Sequence, residues 1–413
     1  MNRQERDTHI TSILLERMRK KAVLIALFFL PFIAINPGFN FNIGDMFLLI
    51  ALVLSISKFR LISKVQIILL LFMITVLPSF WLSLFRRSSN IDILNYGQFF
   101  YVFVLLVPFG YVIFKDVSFD SIAKVYTLSG AVNACFGITQ FLSSGSLFLS
   151  GQRVIKVSEF GFRATGLTTN PDELGFTLNI ALIMCLYLIL TEKSKIIKLI
   201  YIGIAILLVG GILSSVSLAA LVMLFLIMVF LIFIITINKG GKAIIVGAVG
   251  ASVLIVLIGY LYLFSSTNVF ISALKFRILT TENVSVRLEQ YKRAIAIAEE
   301  WIVIGNGPMS DQESIESEFR VHNHTLAMAV QSGAIPALLY VAIYIITALY
   351  SFKKSKTDHA ALAICIIMST SLIVFQVRTP SFLRIDYIPI LLGTSYMIYG
   401  SQCSILPKKN KNG

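Results

Sequence analysis

Long apolar blocks recur along the chain, and they restrict its possible folds more than any other feature. Each block runs for roughly 17–25 residues, the length that a helix needs to cross about 30 Å of hydrocarbon. Lipid offers no partner for backbone polar groups, so a spanning segment is expected to be helical. Charged residues make up only 14% of the chain, whereas soluble domains carry about 25%. The sequence therefore predicts an all-α polytopic membrane protein.

The positions of these blocks predict about twelve transmembrane helices. They are expected near residues 22–37, 42–57, 65–84, 95–114, 121–142, 173–191, 199–214, 217–237, 243–264, 324–350, 359–377 and 385–400. The chain then divides into an N-terminal bundle (1–142), a first loop (143–172), central helices (173–264), a large loop (265–323), and C-terminal helices with a basic tail (324–413).

Short loops rich in Lys and Arg set the predicted orientation, because such loops stay in the cytoplasm. Clusters on one side of the membrane occur at residues 58–64, 193–198, 239–242 and 353–356 and in both terminal segments. Both termini are therefore predicted to be cytoplasmic, in agreement with an even number of spans. Arg86 and Arg87 are the exception. The loops 143–172 and 265–323 are then two large extracytoplasmic loops.

Several classes of function are disfavoured by what the sequence contains. The net charge of +14 follows from the same topology signal, so nucleic acid is not an expected partner. No GxxxxGK[ST] motif is present, which excludes a nucleotide-driven pump. No carboxylate-rich or paired-cysteine motif indicates a metal site, so we expect neither a metal nor a cofactor.

Residues 285–302 of the large loop form a candidate amphipathic helix. Its apolar residues recur at steps of three and four, as Leu288, Tyr291, Ile295, Ala298 and Ile302. Charged residues occupy the other faces, and Trp301 lies near the end. Two interpretations remain open: the helix lies on the membrane interface, or it caps the helical bundle.

His322 is the candidate general base. It lies in the stretch RVHNHT of residues 320–325, directly before an apolar block, and so near a helix N-terminus where the helix dipole disfavours imidazolium. A neutral imidazole can accept a proton. The alternative is an interfacial histidine that caps the helix. His324, two residues further on, is expected on a different face.

The outward loops carry more basic residues than that side of a membrane usually does. They are Arg153, Lys156, Arg163, Lys275, Arg277, Arg287, Lys292, Arg293 and Arg320, with Arg378 and Arg384 between the last two spans. Guanidinium groups bind phosphate through paired hydrogen bonds, so this density suits a lipid pyrophosphate. The alternative is contact with lipid headgroups, or ion pairs with Glu282, Glu289 and Glu316.

Two further motifs are predicted to be structural. Asn170 and Pro171 have the features of a helix N-cap and a first helical residue. The stretch GNGP of residues 305–308 has the composition of a turn. Its backbone N–H groups would alternatively suit an anion.

The order and spacing of these motifs resemble the O-antigen ligase and O-antigen polymerase superfamily. His322-Asn323, nine residues and then Gly333 is similar to that family's signature, in which a large outward loop ends in His-Asn before a late span. The stretches SVRL (285–288), IGNG (304–307) and RATG (163–166), the last followed by Asn170-Pro171, look similar as well. The match covers most of residues 160–350.

The resemblance implies a GT-C-like glycosyltransferase at the outer face of the bacterial inner membrane, with a polyprenyl-pyrophosphate-linked glycan as donor. It implies that His322 is the base and that Arg287 binds or stabilises the pyrophosphate leaving group. The remaining substrate-binding candidates are Arg163, Arg153, Asn323, His324, Arg293 and Arg320. The implied partners are the lipid bilayer, a chain-length regulator and a flippase.

Two departures from the family pattern bear on function. The family often has a Ser-Arg pair at the turn between the seventh and eighth spans, where this chain reads SVSL (215–218). In ligases that arginine is expected beside the phosphate, so its absence favours a polymerase. Arg153, Arg378 or Arg384 could substitute for it. The family motif also commonly continues Gly-x-x-Gly, where this chain reads GAIP (333–336).

Three functions remain open from the sequence. A polymerase would move a growing glycan from its polyprenyl pyrophosphate to an incoming lipid-linked repeat unit. A ligase would move the finished glycan to lipid A core. A flippase or secondary transporter would do no chemistry, but it would need charges along a path through the bundle, and this chain has its charges in the outward loops.

Overall fold

The computed structural model describes residues 3–32, 42–59, 63–86, 93–143, 155–158, 161–239, 282–300, 303–308, 321–378 and 384–400. Apart from one antiparallel hairpin, β1 (Ile155–Ser158) and β2 (Gly161–Arg163), the regular elements in these ranges are helices. They are α1 (Arg3–Phe29), α2 (Ile43–Ser55), α3 (Lys64–Arg86), α4 (Ile93–Phe100), α5 (Phe119–Leu142), α6 (Pro171–Thr191), α7 (Lys195–Ser214), α8 (Leu218–Lys239), α9 (Glu282–Glu300), α10 (His324–Ser332), α11 (Ala334–Lys354), α12 (His359–Val374) and α13 (Ile388–Tyr399).

Five helical segments of the described chain are long and apolar enough to cross a membrane. They are Lys64–Phe85, Tyr96–Phe114, Pro171–Thr191, Lys195–Ser214 and Ala334–Lys354. Shorter apolar helices occur at Leu218–Phe233, His359–Val374 and Ile388–Tyr399. The described chain is therefore that of a helical membrane protein. The number of spans and the side on which each loop lies stay predictions, and the predicted span 243–264 lies outside the described residues.

The segment after α4 is helical but irregular. A π-helical turn (Tyr101–Leu106) leads into a short α-helical segment (Val107–Phe109) and a 3₁₀ segment (Gly110–Phe114). Pro108 lies inside this run and has no backbone N–H to donate, which disfavours a regular α-helix here. The predicted span 95–114 is thus correct in extent, although its hydrogen-bond pattern changes along its length.

α1 extends the predicted first span (22–37) into the basic N-terminal segment. Arg19, expected in a cytoplasmic tail, is only 1% exposed. Its guanidinium donates to the carbonyls of Ile113 at 2.8 Å and Lys115 at 2.5 Å, and it lies 3.5 Å from the carboxylate of Asp116. Arg19 therefore binds carbonyl groups that the end of a helix leaves without intrahelical partners.

The predicted span 324–350 is wrong as a single helix, because the chain breaks at Gly333. This residue joins α10 to α11 with a φ of +98°, a backbone conformation that residues other than glycine rarely adopt. A Cβ atom at this position would lie 2.8 Å from the carbonyl carbon of Val303. The break therefore gives the segment that follows α9 room to pack against the α10–α11 junction.

α12 lies where the two halves of the chain meet. It packs against α11 and α13 on one side and against α6 and α8 on the other. The start of α6, the start of α10 and the end of α12 consequently lie at the same end of the bundle, as the contacts between Phe176, Phe375 and His324 show. The candidate residues of the predicted outer loops meet at this end.

α9 packs against the bundle with only part of the face that the periodicity predicted, since Tyr291 and Ala298 contact the core. Gln290 and Ala294 are buried and Tyr291 is half-buried. Leu288 and Ile295, two members of the predicted apolar face, are 55% and 46% exposed. The prediction of that face was therefore wrong for these two residues. The capping interpretation agrees with this packing, and the exposed leucine and isoleucine are also compatible with contact at the membrane interface.

Candidate functional site

The start of α10 is fixed by Asn323. Its side-chain oxygen accepts a hydrogen bond from the backbone N–H of Leu326 at 2.9 Å, which is an N-cap. Its amide nitrogen donates to the carbonyl of Gln376 at 3.2 Å, and the N–H of His324 donates to the carbonyl of Phe375 at 2.8 Å. The backbone on both sides of Asn323 is thus held against the end of α12. Asn323 positions its neighbours here, whereas the sequence suggested that it binds substrate.

His322 immediately precedes this cap, and α9 holds it from the other side. The Tyr291 hydroxyl donates to the carbonyl of His322 at 2.6 Å and lies 3.4 Å from the carbonyl of Gln376. Nδ1 of His322 lies 3.2 Å from the side-chain oxygen of Gln290. Burial raises the pKa of Tyr291, although the charge of Arg287 acts in the opposite direction. The phenol therefore stays protonated near neutral pH, as a donor must.

The two candidate arginines of α9 have different surroundings. Arg287 is half-buried and lies one helical turn before Tyr291, close enough for its charge to act on the pKa of that phenol. Arg293 is exposed and pairs with Glu289 at 3.1 Å, four residues earlier on the same helix. Arg287 therefore lies near Tyr291, whose hydroxyl binds the carbonyl of His322. Arg293 instead forms a solvated pair, which agrees with the ion-pair alternative for the basic residues.

Arg163, the candidate from the first loop, is bound by the chain itself. It is 8% exposed. Its guanidinium pairs with Asp172 at 2.8 Å and donates to the carbonyl of Ser215 at 3.2 Å. The same oxygen of Asp172 accepts a hydrogen bond from the Ser217 hydroxyl at 2.6 Å. The charge of this guanidinium is therefore balanced by Asp172.

Arg163 lies at the turn where the family pattern often has an arginine. Val216 in this turn has a φ of +45°, which is rare for a β-branched residue and is a form of backbone strain. The strained residue reverses the chain between α7 and α8, and Ser215 and Ser217 on either side of it then contact Arg163 and Asp172. A guanidinium is thus present at this turn, although it comes from a distant part of the sequence.

A second buried pair joins the loop after α12 to the 3₁₀ segment before α13 (Arg384–Tyr387). Arg378 and Asp386 are 3% and 0% exposed and lie 2.5 Å apart. The Arg378 guanidinium also lies 4.8 Å from the centre of the Phe176 ring.

Burial opposes the charge on Arg378, but Asp386, Glu173 and Asp172 raise its pKa. The sequence had suggested Arg378 as one of the outward basic residues and as a substitute for the missing arginine, whereas Asp386 and Glu173 were not proposed as site residues.

The segment from Phe375 to Arg378 connects the two parts of the site. The carbonyl of Gln376 accepts hydrogen bonds from Asn323 and Tyr291. The ring of Phe375 lies 5.2 Å from that of Phe176 in the first turns of α6. The structure therefore brings the His322 segment and the Arg163 segment to one end of the bundle.

His324 is buried among aromatic side chains. It is 1% exposed. Its ring stacks on Tyr340 at 5.3 Å and packs against Phe375 and Tyr387 at 4.8 Å and 5.9 Å. This position agrees with the prediction that His324 lies on a different face from His322. It does not agree with the predicted substrate-binding role of His324. His324 is an aromatic core residue in this structure.

The GNGP stretch is a packed turn in which the amide groups are occupied. The N–H of Gly305 donates to the Ser79 hydroxyl at 2.9 Å. The N–H groups of Asn306 and Gly307 donate to the carbonyls of Val330 and Gln331 at 2.8 Å and 2.9 Å. These groups are therefore not presented to an anion, and the turn interpretation is confirmed.

Two candidates, Arg153 and Arg320, lie outside the described residues. Within the described ranges, no group of three or more His, Cys, Asp and Glu side chains is arranged to hold a metal ion. A cavity of about 580 Å³ lies at the opposite end of the bundle. Its polar lining comes from Asp120, Lys124, Tyr187, Thr191, Glu192, Thr357, Asp358 and His359. No predicted site residue lines this cavity.

The fold and the site define a helical membrane protein in which the segments of His322 and Arg163 lie at the same end of the bundle. No protein-family model matches the chain, and no curated protein matches it significantly. The family resemblance therefore stays a prediction that depends on the motifs.

Proposed function

We propose that the chain is a polysaccharide polymerase of the O-antigen ligase and polymerase superfamily. It would join polyprenyl-pyrophosphate-linked repeat units at the outer face of the bacterial inner membrane. The observation that carries the proposal is the contact between α9 and the start of α10. There His322 Nδ1 faces Gln290 at 3.2 Å, on the helix that also carries Arg287.

The chemistry that this arrangement supports is a base-assisted glycosyl transfer. The proton of an acceptor hydroxyl passes to Nε2 of His322. The hydroxyl oxygen forms a bond to the anomeric carbon of the donor, and the bond from that carbon to the pyrophosphate oxygen breaks. The bonding electrons leave with the pyrophosphate, whose negative charge Arg287 stabilises. A general base of this kind contributes roughly 10²–10⁴-fold to a rate.

The candidate arginines differ in whether a carboxylate balances their charge. Arg163 and Arg378 each have a carboxylate partner, at 2.8 Å and 2.5 Å respectively. Removing a buried partner leaves an uncompensated charge, which is strongly unfavourable. We therefore assign these two arginines to the architecture of the site and assign the leaving-group pyrophosphate to Arg287.

The test is polymer formation by purified protein in detergent, given lipid-linked repeat units and no ion gradient. Wild-type protein is expected to produce long chains. The His322→Ala variant is expected to lose at least about 10²-fold in rate, because the acceptor hydroxyl then has no base. His359→Ala is the matched control, since this exposed histidine lines the cavity at the opposite end of the bundle.

Other outcomes identify the alternatives. Normal chains from His322→Ala would refute the base. Transfer to lipid A core without chain growth would identify a ligase. Movement of lipid-linked glycan across a reconstituted bilayer, with no new glycosidic bond, would identify a transporter.

A further inference from the structure

Gln290 faces the imidazole of His322 from the buried side of α9. The glutamine is only 3% exposed, and its side-chain oxygen lies 3.2 Å from Nδ1 of His322. An amide oxygen accepts hydrogen bonds and cannot donate them. This contact is a hydrogen bond only when Nδ1 carries the hydrogen. In the neutral ring, Nε2 then carries the lone pair.

The backbone on both sides of this contact is fixed. The carbonyl of His322 accepts the Tyr291 hydroxyl at 2.6 Å, and Asn323 caps α10 directly after it. On α9, Ala294 is fully buried one turn beyond Gln290. The docking of α9 therefore sets the backbone positions from which the two side chains meet.

We infer that Gln290 is a positioning residue that selects the tautomer of His322 and leaves Nε2 as the atom that accepts a proton. A histidine with the opposite tautomer would present an N–H to the acceptor hydroxyl and could not act as its base. The catalytic consequence rests on the proposed function. The tautomer itself does not depend on it, and it can be measured without any substrate.

The direct test is nitrogen NMR of protein labelled with ¹⁵N-histidine. The chain has only four histidines, so His322→Ala identifies the signals of His322. Wild-type protein at a pH where the ring is neutral is expected to carry the hydrogen on Nδ1. Gln290→Leu removes the acceptor and is expected to move the hydrogen to Nε2 in a large fraction of molecules. Gln290→Glu keeps an acceptor and is expected to restore the wild-type pattern.

Tyr291→Phe is the matched control, because it removes the neighbouring hydrogen bond and leaves Gln290 in place. It is expected to keep the hydrogen on Nδ1. Gln290→Asn, which is one methylene shorter, tests the same contact if the leucine variant does not fold. An unchanged tautomer in Gln290→Leu, or in Gln290→Asn where the leucine variant does not fold, would overturn the inference.

The activity of the same variants separates this inference from the proposed function. Gln290→Leu is expected to lower kcat by about 10²-fold with KM unchanged, and Gln290→Glu to recover most of it. Full activity of the leucine variant would refute the positioning role. If the tautomer changes as expected but wild-type protein makes no polymer, the proposed function fails and the assignment of Gln290 stands.

Discussion

The guanidinium of Arg378 lies 2.5 Å from the carboxylate of Asp386, and both residues are almost fully buried. Burial alone would lower the pKa of Arg378, but Asp386, Glu173 and Asp172 together raise it. Because the folded pKa is raised, the stabilisation is fully present at neutral pH and is lost as the pH rises through the folded pKa of Arg378. Arg378 therefore stays charged at neutral pH, and its pair with Asp386 holds the loop after α12 to the start of α13.

Removing one partner of this pair is expected to be far more harmful than removing both. Arg378→Leu leaves Asp386 buried without its cation, which costs about 3–5 kcal/mol. The double variant Arg378→Leu with Asp386→Leu removes both charges and is expected to recover most of that loss. Thermal unfolding of the purified variants measures the effect. A double variant no more stable than the single one would contradict the proposed architectural role.

The hydrogen bond between Tyr291 and His322 predicts a specific dependence on alkaline pH. The pKa of Tyr291 is raised in the folded protein, so its protonated phenol stabilises docking fully below the unfolded pKa of about 10. That stabilisation is lost as the pH rises through the higher, folded pKa. At neutral pH, Tyr291→Phe is expected to lower the free energy of unfolding by about 1 kcal/mol.

The measurement is the unfolding temperature of wild-type and Tyr291→Phe protein as a function of pH. The difference between the two proteins is expected to shrink above the folded pKa, where the wild-type phenol loses its proton. A difference that stays constant into strongly alkaline solution would show that the phenol does not support docking.

The glycine at position 305 is expected to tolerate no side chain. A Cβ atom there would lie 2.3 Å from the carbonyl carbon of Gln331, so Gly305→Ala must displace the turn or α10. A loss of about 1–3 kcal/mol is expected, as for an overpacked core. Gly203→Ala is the control, because nothing lies within 4 Å of its added Cβ. Equal stability of the two variants would refute the close packing of this turn.

Two arginines of α9 provide a matched pair for the leaving-group assignment. Arg287→Gln is expected to slow polymer formation by about 10²-fold, because it removes a charge that stabilises the transition state. Arg293→Gln removes the same charge from the exposed side of the helix, where Arg293 pairs with Glu289 at 3.1 Å, and is expected to leave the rate within a factor of two or so. The initial rate of chain growth measures both, and equal losses would contradict the assignment.

Signals confined to a few neighbouring residues were read correctly from the sequence. Asn170 caps α6 with a hydrogen bond of 2.9 Å from the N–H of Glu173, and Pro171 is the first residue of that helix. The GNGP turn and the position of His322 before α10 were also expected. In each case the residue types themselves favour the local backbone conformation.

Contacts across long sequence separations could not be predicted in this way. Gln290 and His322 are 32 residues apart, and Arg163 and Ser215 are 52 residues apart, so nothing local indicates either pair. The predicted buried face of α9 was wrong for Leu288 because periodicity shows which residues are apolar but not which of them contact the bundle. Gly333 was missed as a break because long apolar stretches lie on both sides of the short segment Gln331-Ser332-Gly333.

The central claim is that the His322 segment and the Arg163 segment face the same compartment, outside the cytoplasm. Single cysteines at Thr169 and Leu288, which are exposed beside the two segments, test it most directly. The exposed native Cys135 is first replaced by serine, and Ile196→Cys, which is 75% exposed near a predicted cytoplasmic loop, is the control. A membrane-impermeant maleimide added to intact spheroplasts should label the first two positions and spare the third. Labelling of position 169 or 288 only after the membrane is opened would place that segment in the cytoplasm and contradict the account.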